Sequence, residues 1–255
     1  MNMKYTVLTF LFGSEYTILH NPKVVDLDAT YICVTDNMNL KSDIWNIIYV
    51  NIEDPRPCAD INARKSFITR WHWYDFCSTD ICIVCDAAVC INRNLQELVL
   101  KAYNYDCMIP VHPIRHNLYD EYLAWITTRG LDKKYMDNFI EHTKDSYDIY
   151  TSGLFATGTM IFKKTETVIQ FSKDVLQLMN DISDMEDRVD QIYMSYLLNT
   201  KYFNSLDIMF LTFGYLYMSF FSLHEHKTDT RYVQFDDDNC IWQNNKRIHI
   251  YDNEI

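Results

Sequence analysis

The sequence predicts an α/β fold in which an open, mostly parallel twisted sheet carries helices on its faces. Short runs rich in β-branched and aromatic residues alternate with longer segments whose apolar residues recur every three or four positions. This alternation is typical of buried strands connected by amphipathic helices. Only 5 glycines and 5 prolines occur among 255 residues, which argues against flexible linkers and low-complexity tails. We therefore assign residues 1–255 to a single domain.

Strands and helices alternate along the first half of the chain. Strands are predicted at residues 5–12, 30–35, 45–50, 80–85 and 106–111, which are largely β-branched, aromatic or aliphatic. Helices are predicted at residues 60–76 and 94–103, where residues recur at helical spacing. This order is the one expected for half of an open, mostly parallel sheet.

The second half of the chain is richer in helices. Helices are predicted at residues 119–129, 132–143, 168–182 and 189–197, and one strand at residues 153–163. Residues 232–251 have the pattern of a small C-terminal β-hairpin region. The longest apolar stretch, residues 208–223, is too short and too polar for a membrane span, which needs about 18 to 20 residues. No transmembrane helix is expected, and the N-terminus is interpreted as a first strand and not as a signal peptide.

Charge and cysteine content limit the partners of the protein. A net charge of −12 without a Lys/Arg-rich stripe argues against nucleic acid, because a polyanion would be repelled. A nucleotide remains compatible, since a divalent cation and one or two bases can carry its diphosphate. Most of the eight cysteines lie in apolar, strand-like runs, which predicts buried free thiols and a cytoplasmic protein. Cys82 and Cys85 have C-x-x-C spacing, but no second Cys/His pair lies nearby to complete a zinc site.

The most informative segment is residues 81–91, where an apolar strand delivers Asp86 to its C-terminal end. Ligands of open α/β sheets gather at such strand ends. A carboxylate there can hold a divalent cation that bridges a nucleotide diphosphate and offsets charge as the diphosphate leaves. The same residue could instead cap a turn.

Other polar residues are expected at the same edge of the sheet. Asp36 closes the second strand, Arg64 and Lys65 lie on the helix that leads into the Asp86 strand, and His112 and Arg115 follow the next strand. Each has an ordinary structural explanation as a turn residue, solvated helix charge or loop histidine. Because the carboxyl ends of parallel strands meet at one edge, together they favour a site.

Several short motifs follow one another along the chain. They are Tyr-Thr-Val-Leu-Thr-Phe-Leu-Phe-Gly13, Val-Thr-Asp-Asn37, Ala-Arg-Lys65, Val-Cys-Asp-Ala-Ala88, His-Pro-Ile-Arg115 with Tyr-Asp-Glu121, and Asp-Arg-Val-Asp-Gln191. In this order they resemble the GT-A-fold glycosyltransferase-like family, which includes capsular and lipopolysaccharide glycan-synthesis proteins, plant cell-wall relatives and chlorovirus glycan enzymes. The resemblance covers roughly residues 4–225.

The resemblance implies a site for Mn²⁺ or Mg²⁺ and a diphosphate at Asp86. Ala88 stands where many members of the fold have a second carboxylate, so the cation would have to rely on phosphates, water or another ligand. His224 is the candidate ligand and Lys227 a candidate phosphate contact. The alternative is a surface loop in which the histidine spacing is fortuitous.

The resemblance also implies where the donor and acceptor would bind. Phe12 and Gly13 would carry the nucleotide, because a position without a side chain lets a ligand approach the backbone. Asp36 would accept a hydrogen bond from the base or ribose. The remaining donor contacts would be Arg64, Lys65, His112 and Arg115, and the acceptor contacts Tyr119, Glu121 and Gln191.

Two acidic residues are candidates for the general base that glycosyl transfer with inversion requires. Asp187 and Asp190 are three positions apart and lie beside the apolar stripe of their helix. Acidic residues are equally common in the first turn of an ordinary helix.

The expected function is transfer of a sugar from a nucleoside diphosphate sugar to a hydroxyl of a glycan or glycolipid, in polysaccharide biosynthesis, with peripheral membrane contact left open. A catalytically impaired relative that binds a nucleotide or glycan is the alternative, since Ala88 departs from the family pattern. A nucleotidyltransferase is disfavoured because Gly13 and Ser14 do not form a glycine-rich phosphate loop.

Overall fold

A computed structural model describes residues 3–14, 18–52, 61–129, 132–144, 148–182 and 190–223, together with the backbone of three short strands between residues 234 and 249. The strands are β1 Tyr5–Leu11, β2 Ala29–Thr35, β3 Asn46–Tyr49, β4 Ile81–Cys85, β5 Val89–Ile91, β6 Cys107–Pro110, β7 Thr159–Lys163, β8 Ile208–Leu211, β9 Phe221–Leu223, β10 Gln234–Phe235, β11 Cys240–Gln243 and β12 Lys246–His249. The helices are α1 Ile61–Trp71, α2 Trp73–Phe76, α3 Gln96–Ala102, α4 Leu118–Arg129, α5 Lys133–Thr143, α6 Glu166–Ile182, α7 Asp190–Asn199 and α8 Phe213–Ser219.

Seven strands form the central sheet in the order β3-β2-β1-β4-β7-β6-β8. Neighbours pair in parallel except around β7, which is antiparallel to both β4 and β6. Strands β1, β2, β4 and β6 therefore point the same way, and their carboxyl ends lie at one edge of the sheet. This edge is where Asp36, Asp86 and His112 follow their strands.

Apolar residues fill both faces of the sheet. Along β4, Cys82 and Val84 belong to one buried cluster and Ile81, Ile83 and Cys85 to the other, as the two-residue period of a strand requires. The first cluster includes residues of α1, α4, α5, α6 and α7, and the second those of α3 and α8. The predicted fold class, an open and mostly parallel sheet flanked by helices, is confirmed.

Two small antiparallel sheets complete the described structure. Strands β5 and β9 pair directly beyond Asp86, and β10, β11 and β12 form a three-stranded sheet. The second of these confirms the predicted C-terminal hairpin region.

Some predicted boundaries differ from the structure. The helix predicted at 60–76 is divided into α1 and α2, and the strand predicted from residue 153 begins at Thr159. The apolar stretch 208–223 divides into β8, α8 and β9. Among the described residues no helix is long and apolar enough to cross a membrane. The six cysteines whose side chains are described are free and buried, as predicted.

Candidate active site at the carboxyl edge of the sheet

A buried arginine links two acidic residues at the carboxyl edge of β4. Arg70, in the last turn of α1, has a side chain that is 3 % exposed and forms ion pairs with Asp86 and with Asp190, the latter at 2.5 Å. Asp86 directly follows β4 and Asp190 begins α7. The three residues come from separate segments, so the cluster depends on the tertiary fold.

Asp190 is held by several donors. Its Oδ2 accepts hydrogen bonds from Arg70 and from Trp71 Nε1 at 3.0 Å, and its Oδ1 accepts one from Thr157 Oγ1 at 3.2 Å. The residue is 2 % exposed. A carboxylate that is buried and bonded in this way is poorly placed to take a proton from an acceptor hydroxyl. The structure therefore shows Asp190 bonded to Arg70, Trp71 and Thr157, and its role as general base stays a prediction.

Asp86 is more accessible than its two partners. Its side chain is 42 % exposed, although burial of its inner side still raises its pKa, against the attraction of Arg70. Its backbone N–H donates to Gly158 O at 2.8 Å, and its carbonyl accepts from Val89 N at 2.9 Å. The backbone is thus fixed between β7 and β5, and the carboxylate is the part of the cluster that a ligand can reach.

The guanidinium of Arg70 lies between two aromatic rings. Its Cζ is 5.2 Å from the centre of the Phe10 ring and 5.4 Å from that of Phe67. Burial lowers the pKa of Arg70, but the charges of Asp190 and Asp86 outweigh this effect and raise it. Arg70 therefore stays charged inside the protein, and Nε has no hydrogen-bond partner among the described residues.

A second ion pair lies at the ends of β1 and β2. Asp36 accepts a hydrogen bond from Gly13 N at 2.9 Å and forms an ion pair with Lys65 of α1 at 2.6 Å. Burial acts to raise the pKa of Asp36, but the bonds from Lys65 and Gly13 outweigh it, and the pKa lies below its ordinary value. The predicted donor residues Gly13, Asp36 and Lys65 are therefore brought together.

Gly13 adopts φ 99°, a conformation that costs a residue with a Cβ about 1–2 kcal/mol. We expect Gly13→Ala to lower the free energy of unfolding by about 1 kcal/mol, measured by urea denaturation. Gly153→Ala is the matched control, since a Cβ there would meet ordinary contacts from 3.4 Å. The control should be neutral or stabilising, by up to about 1 kcal/mol. Equal losses in both variants would mean that the Gly13 turn is not strained.

A third cluster surrounds Glu121 of α4. Its carboxylate accepts hydrogen bonds from Trp125 Nε1 at 2.7 Å, from Gln191 Nε2 and from Arg115 Nε. Burial raises the pKa of Glu121, while the Arg115 charge opposes this shift. Glu121, Arg115 and Gln191 were all predicted site residues, and the structure brings them into direct contact.

His112 adjoins this cluster. Its Nδ1 accepts from Arg115 N at 2.9 Å and from Ile114 N at 3.3 Å, and its Nε2 lies 4.0 Å from Glu121 Oε2. Burial, followed by the charge of Arg115, lowers the pKa of His112 to about 3. The imidazole is therefore neutral at neutral pH.

The remaining predicted residues are more scattered. Phe12 and Arg64 are buried, and Phe12 belongs to the core cluster next to α1. Tyr119 packs against the exposed Tyr150, with 4.8 Å between ring centres. Ala88 is partly exposed in the turn before β5. Asp187, His224 and Lys227 lie outside the described residues.

The described residues do not by themselves form a metal site. They contain no group of three His, Cys, Asp or Glu side chains that could hold an ion. Asp86 offers one carboxylate oxygen beyond the one bonded to Arg70, and Ala88 adds no donor. A divalent cation prefers several oxygen ligands, so this part of the chain does not fit one unaided.

Sequence reasoning missed Arg70, Trp71 and Thr157. A charged residue on a helix is usually solvated. Nothing in the sequence pattern distinguished Arg70 from Arg64 and Lys65, the basic residues earlier in the same helix. The available clue was its position between Phe67 and Trp71, on the side of the helix that carries the large apolar residues.

Comparisons with known proteins concern the fold. No protein-family model and no curated protein matches the chain. Among solved structures, the chain is similar to the galactosyltransferase LgtC in complex with donor and acceptor sugar analogs, with 11 % identity and a TM-score of 0.46 over 88 % of this chain and 80 % of that one.

Two other glycosyltransferases are similar at the same level. The glycosyltransferase GlyE from Streptococcus pneumoniae TIGR4 has 12 % identity and a TM-score of 0.44 over 82 % of this chain, which spans only 45 % of the GlyE chain. Mouse xyloside xylosyltransferase 1, in its apo form, has 10 % identity and a TM-score of 0.42 over 77 % of this chain and 82 % of its own. Likeness at this level does not assign an activity.

Proposed function

We propose that this protein is a glycosyltransferase that moves a sugar from a nucleoside diphosphate sugar to a hydroxyl of a glycan or glycolipid. The observation that carries the proposal is the Arg70–Asp86–Asp190 cluster at the carboxyl edge of β4, with Asp86 exposed and its partners buried. A second line of support is the sequence resemblance, whose short motifs fall on the three clusters at this edge.

The proposed donor site runs from the ends of β1 and β2 to the end of β4. At the first end, the Gly13 turn allows a nucleotide to approach the backbone, and Lys65 is a cation within reach of phosphates. At the other end, Asp86 offers a carboxylate oxygen to sugar hydroxyls, which are hydrogen-bond donors. Arg70 pairs with this carboxylate and fixes its position, so that it is preorganised for the ligand.

Manganese or magnesium remains a separate proposal. The metal expected at Asp86 needs further ligands, and the candidate His224 lies outside the described residues. The change in donor affinity on adding Mn²⁺ measures whether the cation takes part in binding.

The test is isothermal titration with UDP, GDP and dTDP sugars, with and without Mn²⁺, followed by turnover of any donor that binds. We expect one class of donor to bind, and Asp86→Asn to lower its turnover by about 10²–10³-fold, as for loss of a preorganised electrostatic contact. Asp80→Asn is the matched control, because Asp80 precedes the same strand at the opposite edge and bonds Tyr103. Absence of binding by every donor, or equal turnover in both variants, would refute the proposal.

A second candidate function has one observation in its favour. Ala88 and the pairing of Asp86 with Arg70 leave few oxygen ligands, as expected for a relative that binds a nucleotide or glycan without transferring sugar. Nucleotide binding without turnover in the wild-type protein would favour it. Turnover that disappears in Asp86→Ala would exclude it.

A further inference from the structure

Glu121 is a buried carboxylate whose two oxygens both accept hydrogen bonds. Its side chain is 1 % exposed. Oε1 accepts from Trp125 and Gln191, and Oε2 accepts from Arg115. With three N–H donors, one of them on the charged Arg115, the buried carboxylate is well satisfied. A ligand hydroxyl would therefore have to displace one of these donors to reach it.

An ionised carboxylate only accepts hydrogen bonds, and this property fixes the orientation of Gln191. The Nε2 end of the carboxamide must face Glu121, because the Oε1 end would meet another acceptor. No described residue donates to Gln191 Oε1. The carbonyl oxygen is therefore the end of the side chain that remains for a ligand.

The position of Gln191 joins two of the clusters. It follows Asp190 at the start of α7, so its backbone is anchored by the bonds of Asp190 to Arg70, Trp71 and Thr157. Its side chain is partly exposed, whereas Asp190 and Glu121 are buried. Gln191 is thus the member of this group that solvent, and hence a ligand, can contact.

We propose that Glu121 is a positioning residue that holds the Gln191 carboxamide with its carbonyl oxygen available to a hydroxyl of the bound sugar. This inference rests on the proposed function, because it assumes that a sugar occupies the site. It replaces the expectation that Glu121 itself contacts the acceptor. Glu121 acts only through Gln191.

The experiment compares Glu121→Gln, Gln191→Ala and the double variant, using the nucleotide sugar that binds wild-type protein in the titration above. Turnover by hydrolysis or transfer gives kcat/KM, and titration with the nucleoside diphosphate of that donor (UDP, GDP or dTDP) gives the affinity for the nucleotide part. Glu121→Gln supplies a group that can donate, so the carboxamide of Gln191 is no longer held one way. We expect each single variant to lose about tenfold in kcat/KM, as for a buried hydrogen bond to a charged group.

The decisive result is non-additivity. The double variant should lose no more than either single variant, because the two residues act as one unit. The affinity for the nucleoside diphosphate should stay within about twofold of wild type in all three. The matched control is Glu141→Gln, which should leave kcat/KM unchanged. Glu141 is an exposed carboxylate of α5 that pairs with Lys144, the C-cap residue of that helix.

Other outcomes overturn the inference in distinguishable ways. Additive losses, or an unchanged Glu121→Gln, would refute positioning while the proposed function stands. An affinity for the nucleoside diphosphate that falls in parallel with kcat/KM would show a merely structural role. If Glu121→Gln does not fold, Glu121→Asp keeps the charge beside Arg115 but shortens the reach to Gln191, and the same loss is expected. If wild-type protein binds no nucleotide sugar, the proposed function fails and this inference fails with it.

Discussion

Replacing Arg70 with methionine is expected to lower the free energy of unfolding by about 3–5 kcal/mol, measured by urea denaturation. The change removes the cation from a cluster in which Asp190 is 2 % exposed. Asp190 would then be a buried carboxylate left with Trp71 and Thr157 as its partners. Asp86 contributes less to the loss, because its exposed side chain can be solvated by water.

Two further variants make this prediction specific. Arg70→Met combined with Asp190→Asn should be more stable than Arg70→Met alone, because it removes the uncompensated charge. Arg93→Met is the matched control, since Arg93 forms an exposed ion pair with Glu97 and stacks on Phe220. Its expected cost is about 1 kcal/mol. A loss of that size in Arg70→Met as well would show that the cluster does not stabilise the fold.

The sheet edge that carries the site was predictable because it depends on local patterns. The strands that end before Asp36, Asp86 and His112 are apolar runs closed by polar residues. Parallel strands bring their carboxyl ends together whatever the details of their order. The antiparallel insertion of β7 between β4 and β6 was not predictable in this way, because it depends on pairings between distant segments.

The partners within the site were harder to predict than its members. Asp190 and Arg70 are 120 residues apart in sequence, and a helical pattern does not reveal which distant side chain faces a given position. Asp190 thus resembled a solvated first-turn carboxylate, and Arg70 resembled surface charge. Glu121 and Gln191 were assigned to the site, but only the structure shows that they bond each other.

Lowering the pH from 7.5 to 5 is expected to reduce the free energy of unfolding of both wild-type protein and His112→Gln. The loss should be about 2 kcal/mol larger in wild-type protein. Burial and Arg115 lower the pKa of His112 to about 3 in the folded state, against about 6.5 for an unfolded histidine. Between these values the unfolded chain binds more protons than the folded one. Acid therefore favours unfolding, and the loss grows as pH falls towards 3.

Urea denaturation at pH 7.5, 6 and 5 measures this difference. Glutamine has no group that titrates between pH 7.5 and 5, so the difference between the two proteins reports the imidazole of His112. His142→Gln, which replaces an exposed histidine of α5, should keep the wild-type pH dependence. If His112→Gln keeps it too, the buried imidazole of His112 is not the group that makes the folded protein less stable in acid.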